Sequence, residues 1–228
     1  MILENIIEQK SSAVILFFNG WGQSSQLIRH LNSGDYDVLA LSDYQKLPEN
    51  AALILERLKK YSEIKLIAWS LGVFVAEYLF HNQGKLFSDA VAINGTIHPA
   101  DDEFGISPVI FQGTADMWSD RSRNKFKIRM SGNAAPELEL LNSPPERTII
   151  EQQRELYELL ALAVRPLSDE STIFRRAYVG MQDKIFLPAN QLAAWRHAAV
   201  PVLELPQAHS FWSMLTSWDQ ILNEVSNE

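Results

Sequence analysis

The 228-residue chain contains no cysteine, which removes disulfides, thiolate nucleophiles and cysteine-ligated metals together. Glycine and proline are sparse, ten of each, and no Pro/Gly/Ser tract marks a linker. No apolar run approaches the roughly 18 to 20 residues of a membrane span, and Glu4 and Glu8 stand where a signal peptide carries basic and then apolar residues. Basic residues are the minority, 20 Lys and Arg against 28 Asp and Glu, and a net charge of −8 repels nucleic acid and anionic membranes. What remains is a chain with 46% hydrophobic residues, long enough to bury roughly 70 to 75% of its unfolded surface without metals or disulfides. One domain over residues 1–228 is expected, cytoplasmic and monomeric.

Short apolar runs alternate with longer helical patterns, the arrangement of a parallel α/β sheet with helices on both faces. The runs lie at 13–18 (AVILFF), 38–41 (VLAL), 64–68 (IKLIA), 90–94 (AVAIN), 177–180 (AYVG) and 202–205 (VLEL), and 2–7 can add a seventh. Helices are predicted over 49–61, opened by Pro48; over 71–83, closed by Gly84; and over 189–198, opened by Pro188. Apolar residues at 211, 214, 215, 218, 221, 222 and 225 predict a final helix over 211–225. Between about 107 and 175 the alternation breaks. A Ser/Gly/Asn/Pro stretch at 131–144 and an amphipathic helix near 145–164 read as a helical insertion, placed to serve as a lid over the carboxyl ends of the strands.

The segment Ala68-Trp69-Ser70-Leu71-Gly72 joins a strand directly to a helix, with small residues two positions either side of the serine. That is the form of a nucleophile elbow, in which a sharp turn lifts the hydroxyl clear of the sheet. Taken alone, small-x-Ser-x-Gly is also found in ordinary turns. A serine nucleophile needs a histidine base and an acid to orient it, in the chain order serine, acid, histidine. Asp183 follows the run at 177–180 and His209 follows the run at 202–205, so both belong to loops at the sheet edge that carries Ser70. Each could separately be a structural loop residue; the joint placement points to a triad. Asp116, after Phe111-Gln112-Gly113, is the rival acid, but it precedes the insertion and lies 93 positions before His209 against 26 for Asp183. Ser107-Pro108 moreover suits the start of a helix, the way into the insertion.

An oxyanion requires two N–H donors, expected from Leu71 and from Trp21 in the Gly20-Trp21-Gly22 turn after the first long strand. The turn could equally be a plain tight connection. His30, His81, His98 and His197 have no metal-ligand spacing, so neither a metal nor a cofactor is expected.

Phe18-Asn19-Gly20-Trp21-Gly22, Ala68-Trp69-Ser70-Leu71-Gly72, Ile93-Asn94-Gly95-Thr96, Lys125-Phe126 with Arg129-Met130, and Ala208-His209-Ser210-Phe211 together resemble the α/β-hydrolases. Within them the chain resembles the bacterial pimeloyl-[acyl-carrier protein] methyl ester carboxylesterases of biotin synthesis, a group also catalogued as of unknown function. Two departures from the broader pattern are Asn19, where histidine is frequent, and Ala68 in place of glycine. The resemblance implies hydrolysis of a methyl ester on an acyl chain carried by an acidic acyl-carrier protein, a general carboxylesterase or thioesterase being the alternative. An apolar channel lined by Trp21 and Phe111 would hold the chain. A carrier would dock on Arg121, Arg123, Lys125, Lys127 and Arg129, five bases in nine residues that leave the rest of the chain at −13. As a strand these five would share a face. As a helix they would split into the stripes 121/125/129 and 123/127.

Overall fold

The computed structural model describes residues 1–143, 147–163 and 172–223. Seven strands form one sheet: β1 (Ile2–Ile7), β2 (Ala13–Phe18), β3 (Asp37–Ser42), β4 (Glu63–Trp69), β5 (Asp89–Ile93), β6 (Arg176–Gly180) and β7 (Val202–Leu205). Their order is β1-β3-β2-β4-β5-β6-β7, with β1 antiparallel at the edge and all other pairs parallel. The inner strands are apolar on both faces because helices cover both. Val14, Leu16 and Phe18 pack to one side of β2, Ile15 and Phe17 to the other.

The chain leaves β2 toward β3 on one side and returns to β4 on the other. The loops after β2 and β4 therefore lie side by side at the carboxyl edge, at the switch in strand order where such sheets bind ligands. The helices α1 (Ala52–Leu58), α2 (Leu71–Phe80) and α7 (Pro188–His197) are connections of the sheet. Four more, α3 (Pro108–Asp116), α4 (Asp120–Met130), α5 (Ala135–Leu141) and α6 (Ile149–Ala163), make an all-helical excursion between β5 and β6. Thr148 and Glu151 form a reciprocal capping box that starts α6. The ends of the expected helix at 145–164 and part of the insertion's return fall outside the described residues.

Three predicted helices are shorter than expected. The first begins at Ala52 rather than at 49, and α2 ends at Phe80, where His81 turns extended and Gly84 opens a separate 3-10 turn. The continuous helix over 211–225 is absent from the described part of that span. Phe211, Leu215, Trp218, Ile221 and Leu222 still face the core, but as a 3-10 turn at Trp212–Met214, an extended segment bridged to Asn32, and a single turn α8 (Asp219–Leu222). Trp212 and Trp218 both pack edge-on against Phe17, and this aromatic cluster overrides the helical period. Met214 is left exposed and Val225 lies beyond the described residues.

At the opposite edge, buried Asp37 ties the β1–β2 connection to β3, accepting from the N–H groups of Gln9 and Ser11 and from the Tyr61 hydroxyl. Burial acts to raise its pKa, but these donors outweigh it and hold the carboxyl below its ordinary 3.8. A depressed pKa stabilises the fold at pH above 3.8, and that contribution is lost as pH falls through the lower native value. Asp37→Ala should cost about 1 to 3 kcal/mol at neutral pH. Thermal melts of both proteins against pH should show the gap narrowing in acid.

Candidate active site

Ser70 stands between β4 and α2 with φ +58° and ψ −131°, a conformation that a side chain other than glycine tolerates only where its surroundings enforce it. The enforcement is visible in the neighbours. A Cβ on Gly72 would come within 2.5 Å of the Phe18 and Asn19 carbonyl oxygens, and one on Gly95 within 2.2 Å of the Ser70 carbonyl. Ala68, at the position where glycine is usual, is fully buried in β4. The start of α2 thus packs against the β2 loop, and the Gly95 backbone against Ser70, too closely for a side chain at 72 or 95.

The three loops converge as their strand ends require. His209 Nε2 lies 3.0 Å from Ser70 Oγ, and His209 Nδ1 lies 2.8 Å from Asp183 Oδ2. With Nδ1–H donated to the carboxylate, the Nε2 lone pair faces the serine hydroxyl. Asp183 Oδ2 also accepts from Gln191 Nε2, while Oδ1 accepts from the N–H groups of Ile185 and Phe186. Asp116 sits elsewhere: it ends α3 on the surface and accepts from Gln112 and from the Tyr157 hydroxyl. Trp21 and Leu71 both line the cavity at Ser70, and no acceptor for either backbone N–H is found among the described residues.

That cavity is mostly apolar, and Phe111 of α3, Phe126 and Met130 of α4 and Leu156 of α6 line it beside Trp21. Ile106, Thr114, Phe126 and Ile185 also line an outer groove, whose lining includes Arg129 and Lys184. The five clustered bases lie on a helix, and its period divides them. Arg121, Lys125 and Arg129 are exposed. Arg123 and Lys127, expected with them at a partner surface, instead turn inward. Lys127 is buried and donates to Asn142, and Arg123 donates to the Arg147 carbonyl and to Asp120.

Several groups that hold the site were not foreseen. Asn94 donates to the Ala208 and His209 carbonyls and accepts from Gly180 N–H, tying the acid loop to the histidine loop. Trp69 Nε1 donates to the His209 carbonyl at 2.9 Å. Asn19 accepts from Gly20 N–H and donates to the Ser24 carbonyl, closing the loop that carries Trp21. Buried Glu155 of α6 accepts from Gly22 N–H and Tyr44 N–H and pairs with Arg147. Burial pushes the Glu155 pKa up, while Arg147 and the amides pull against it. Their signal was available: Gln152 and Glu155 are polar residues at the buried positions of an amphipathic helix, in register with Leu156 and Leu159. Of the remaining histidines, His30 meets the Trp212 carbonyl, His81 meets Glu77, and His98 and His197 flank Phe104.

A parallel sheet that switches direction beside a strained serine turn, with helices inserted before its last two strands, is an α/β-hydrolase. Naproxen esterase from Bacillus subtilis shares the fold at 12% identity, with a TM-score of 0.60 over 97% of this chain and 84% of that one. The family model described as pimeloyl-ACP methyl esterase BioG matches residues 3–221, and the chain belongs to that family. The crystal structure of BioG from Haemophilus influenzae is 32% identical, with a TM-score of 0.82 over 96% of this chain and 98% of the other. A Bacteroides fragilis protein named malonyl-[acyl-carrier protein] O-methyltransferase is 31% identical over 195 residues, which span 86% of this chain and 39% of that protein. Among the described residues no helix is long and apolar enough to cross a membrane.

Proposed function

We propose that the protein is a serine carboxylesterase that hydrolyses the methyl ester of pimeloyl-[acyl-carrier protein], releasing methanol and the carrier-bound acid. The observation that carries the reading is the unbroken chain Ser70 Oγ, His209, Asp183 opening into an apolar cavity in a member of this family. Ser70 Oγ attacks the ester carbonyl and its proton passes to His209 Nε2; the oxyanion is received by the Trp21 and Leu71 amides. The proton leaves with methanol, a water activated by the same nitrogen attacks the acyl-enzyme, and Ser70 is restored.

The excursion acts as the lid of one hydrolase domain, with Trp21 and Phe111 bordering the acyl chain and the outer groove admitting the arm that joins it to the carrier. Two features favour a carrier-bound substrate over a free ester. The exposed bases Arg121, Lys125 and Arg129 have no ion-pair partner among the described residues, and Arg129 borders the groove. The relative from B. fragilis is named for adding a methyl group to a carrier-bound acid, the chemical converse of removing one.

The decisive assay compares pimeloyl methyl ester on its carrier with the free methyl half-ester and short esters. Carrier-linked ester should be preferred in kcat/KM by about 10² or more, the size expected of a docking contribution of about 3 kcal/mol. A fluorophosphonate probe should label the wild type and spare Ser70→Ala. Equal turnover of all esters would favour the general esterase instead, and labelling of Ser70→Ala would remove the serine mechanism.

A further inference from the structure

We propose that Gln152 of α6 is a positioning residue for the oxyanion hole, fixing the Trp21 amide from the helical excursion. The inference rests on the reading of the Trp21 N–H as an oxyanion donor. The loop after β2 anchors its own first half through Asn19, which clips Gly20 N–H and the Ser24 carbonyl. Its second half is held from 131 positions away: the Trp21 indole donates to the Gln152 carbonyl at 2.7 Å. Gln152 Nε2 donates to the Gly22 carbonyl at 3.0 Å, and Gln152 Oε1 accepts from the Trp118 indole at 3.1 Å. The Trp21 amide thus lies between two anchors, one within its loop and one on α6.

Gln152 is only 3% exposed, at a helix position whose buried neighbours in register are Glu155, Leu156 and Leu159. Burying a carboxamide there costs desolvation unless every polar atom is bonded, and its side-chain nitrogen and oxygen both are. Gly22 completes the fit. It has φ +71° and a Cβ placed on it would meet Gln152 Nε2 at 3.2 Å, so the turn and the carboxamide are shaped to each other. An oxyanion donor stabilises charge only within about 2.7 to 3.1 Å of where that charge forms, so an anchor that sets the amide's position acts on the transition state more than on bound substrate.

Gln152→Met keeps the side-chain volume and removes its two hydrogen bonds. It should lower kcat about 10- to 100-fold with KM within about threefold, less than the 10²- to 10³-fold of losing a donor outright. Affinity for an alkyl boronic acid, whose adduct with Ser70 sets an oxygen in the oxyanion position, should fall by the same factor. Gln152→Glu retains the acceptor for Trp118 but sets a carboxylate oxygen against the Gly22 carbonyl, so it should not restore kcat; it also stands in if the Met variant fails to fold. Gln153→Met on the same helix removes a bond to the Ala115 carbonyl and should leave kcat unchanged. Wild-type kcat in the folded Gln152 variants, or an equal loss in Gln153→Met, would overturn the assignment. Turnover that persists in Ser70→Ala would instead remove the mechanism on which it stands.

Discussion

Replacing Ser70 or His209 with alanine should reduce kcat on any accepted ester by about 10⁵- to 10⁶-fold while leaving thermal melting near that of the wild type. The size follows from the two residues acting as one unit, since a serine hydroxyl without its base is a poor nucleophile and the imidazole without the serine has nothing to activate. Asp183→Asn should cost about 10³- to 10⁴-fold in kcat. The geometry says why a carboxamide cannot substitute. Oδ2 faces two donors, His209 Nδ1 and Gln191 Nε2, and Oδ1 faces two more, the Ile185 and Phe186 amides. Whichever way the asparagine is turned, its NH₂ group meets donors, so the change favours the wrong histidine tautomer or breaks the Asp183 turn, at about 1 to 3 kcal/mol of stability. Asp116→Asn, on the surface at the end of α3, should leave kcat alone. Activity retained in Asp183→Asn and lost in Asp116→Asn would transfer the role of the acid.

The parts of this molecule that were legible in its sequence are those set by local pattern. Apolar runs of four to six residues mark the inner strands because both their faces are buried and no alternation hides them, whereas the edge strand β1, Ile2–Ile7, is only partly buried and carries Glu4 and Asn5. The serine turn is legible because Gly72 is required by a backbone approach that any side chain would block. The order of Ser70, Asp183 and His209 could be read because parallel strands deliver every following loop to the same edge.

What escaped was set by tertiary contact. The segment after His209 has a helical period, yet Trp212 and Trp218 are drawn onto Phe17 and break it. The anchors Asn94, Gln152 and Glu155 act on loops more than 85 positions away, and pattern within one element does not show a partner in another. The basic run was open between strand and helix because five bases in a row of alternate positions fit either. The structure makes it a helix, and the reason is at its start, where Ser119 and Ser122 form a reciprocal cap.

That helix sets up the second large effect. Changing Arg121, Lys125 and Arg129 to Glu should lower kcat/KM for a carrier-linked ester about 30- to 1,000-fold at low salt, mainly through KM, and leave a free short ester within about twofold. The three lie at successive turns along about 12 Å of helix, and Arg129 lines the groove that shares Ile106, Thr114, Phe126 and Ile185 with the cavity at Ser70. A carrier gripped there would present its arm at the groove. Each reversal turns an attraction of about 0.5 kcal/mol near a solvated surface into a repulsion of similar size, which gives about 3 kcal/mol for three. Salt near 0.5 M shortens the screening length to about 4 Å and should erase most of the difference. Reversing three charges also makes the whole protein more negative, which by itself repels an acidic carrier. The control therefore reverses exposed Lys10, Lys46 and Lys85, which matches the net charge and leaves the stripe intact. A matching loss in the control would assign the effect to net charge, and equal losses on carrier-linked and free esters would assign the stripe to folding of the excursion. A loss confined to the stripe and to the carrier-linked ester requires a partner seated on α4.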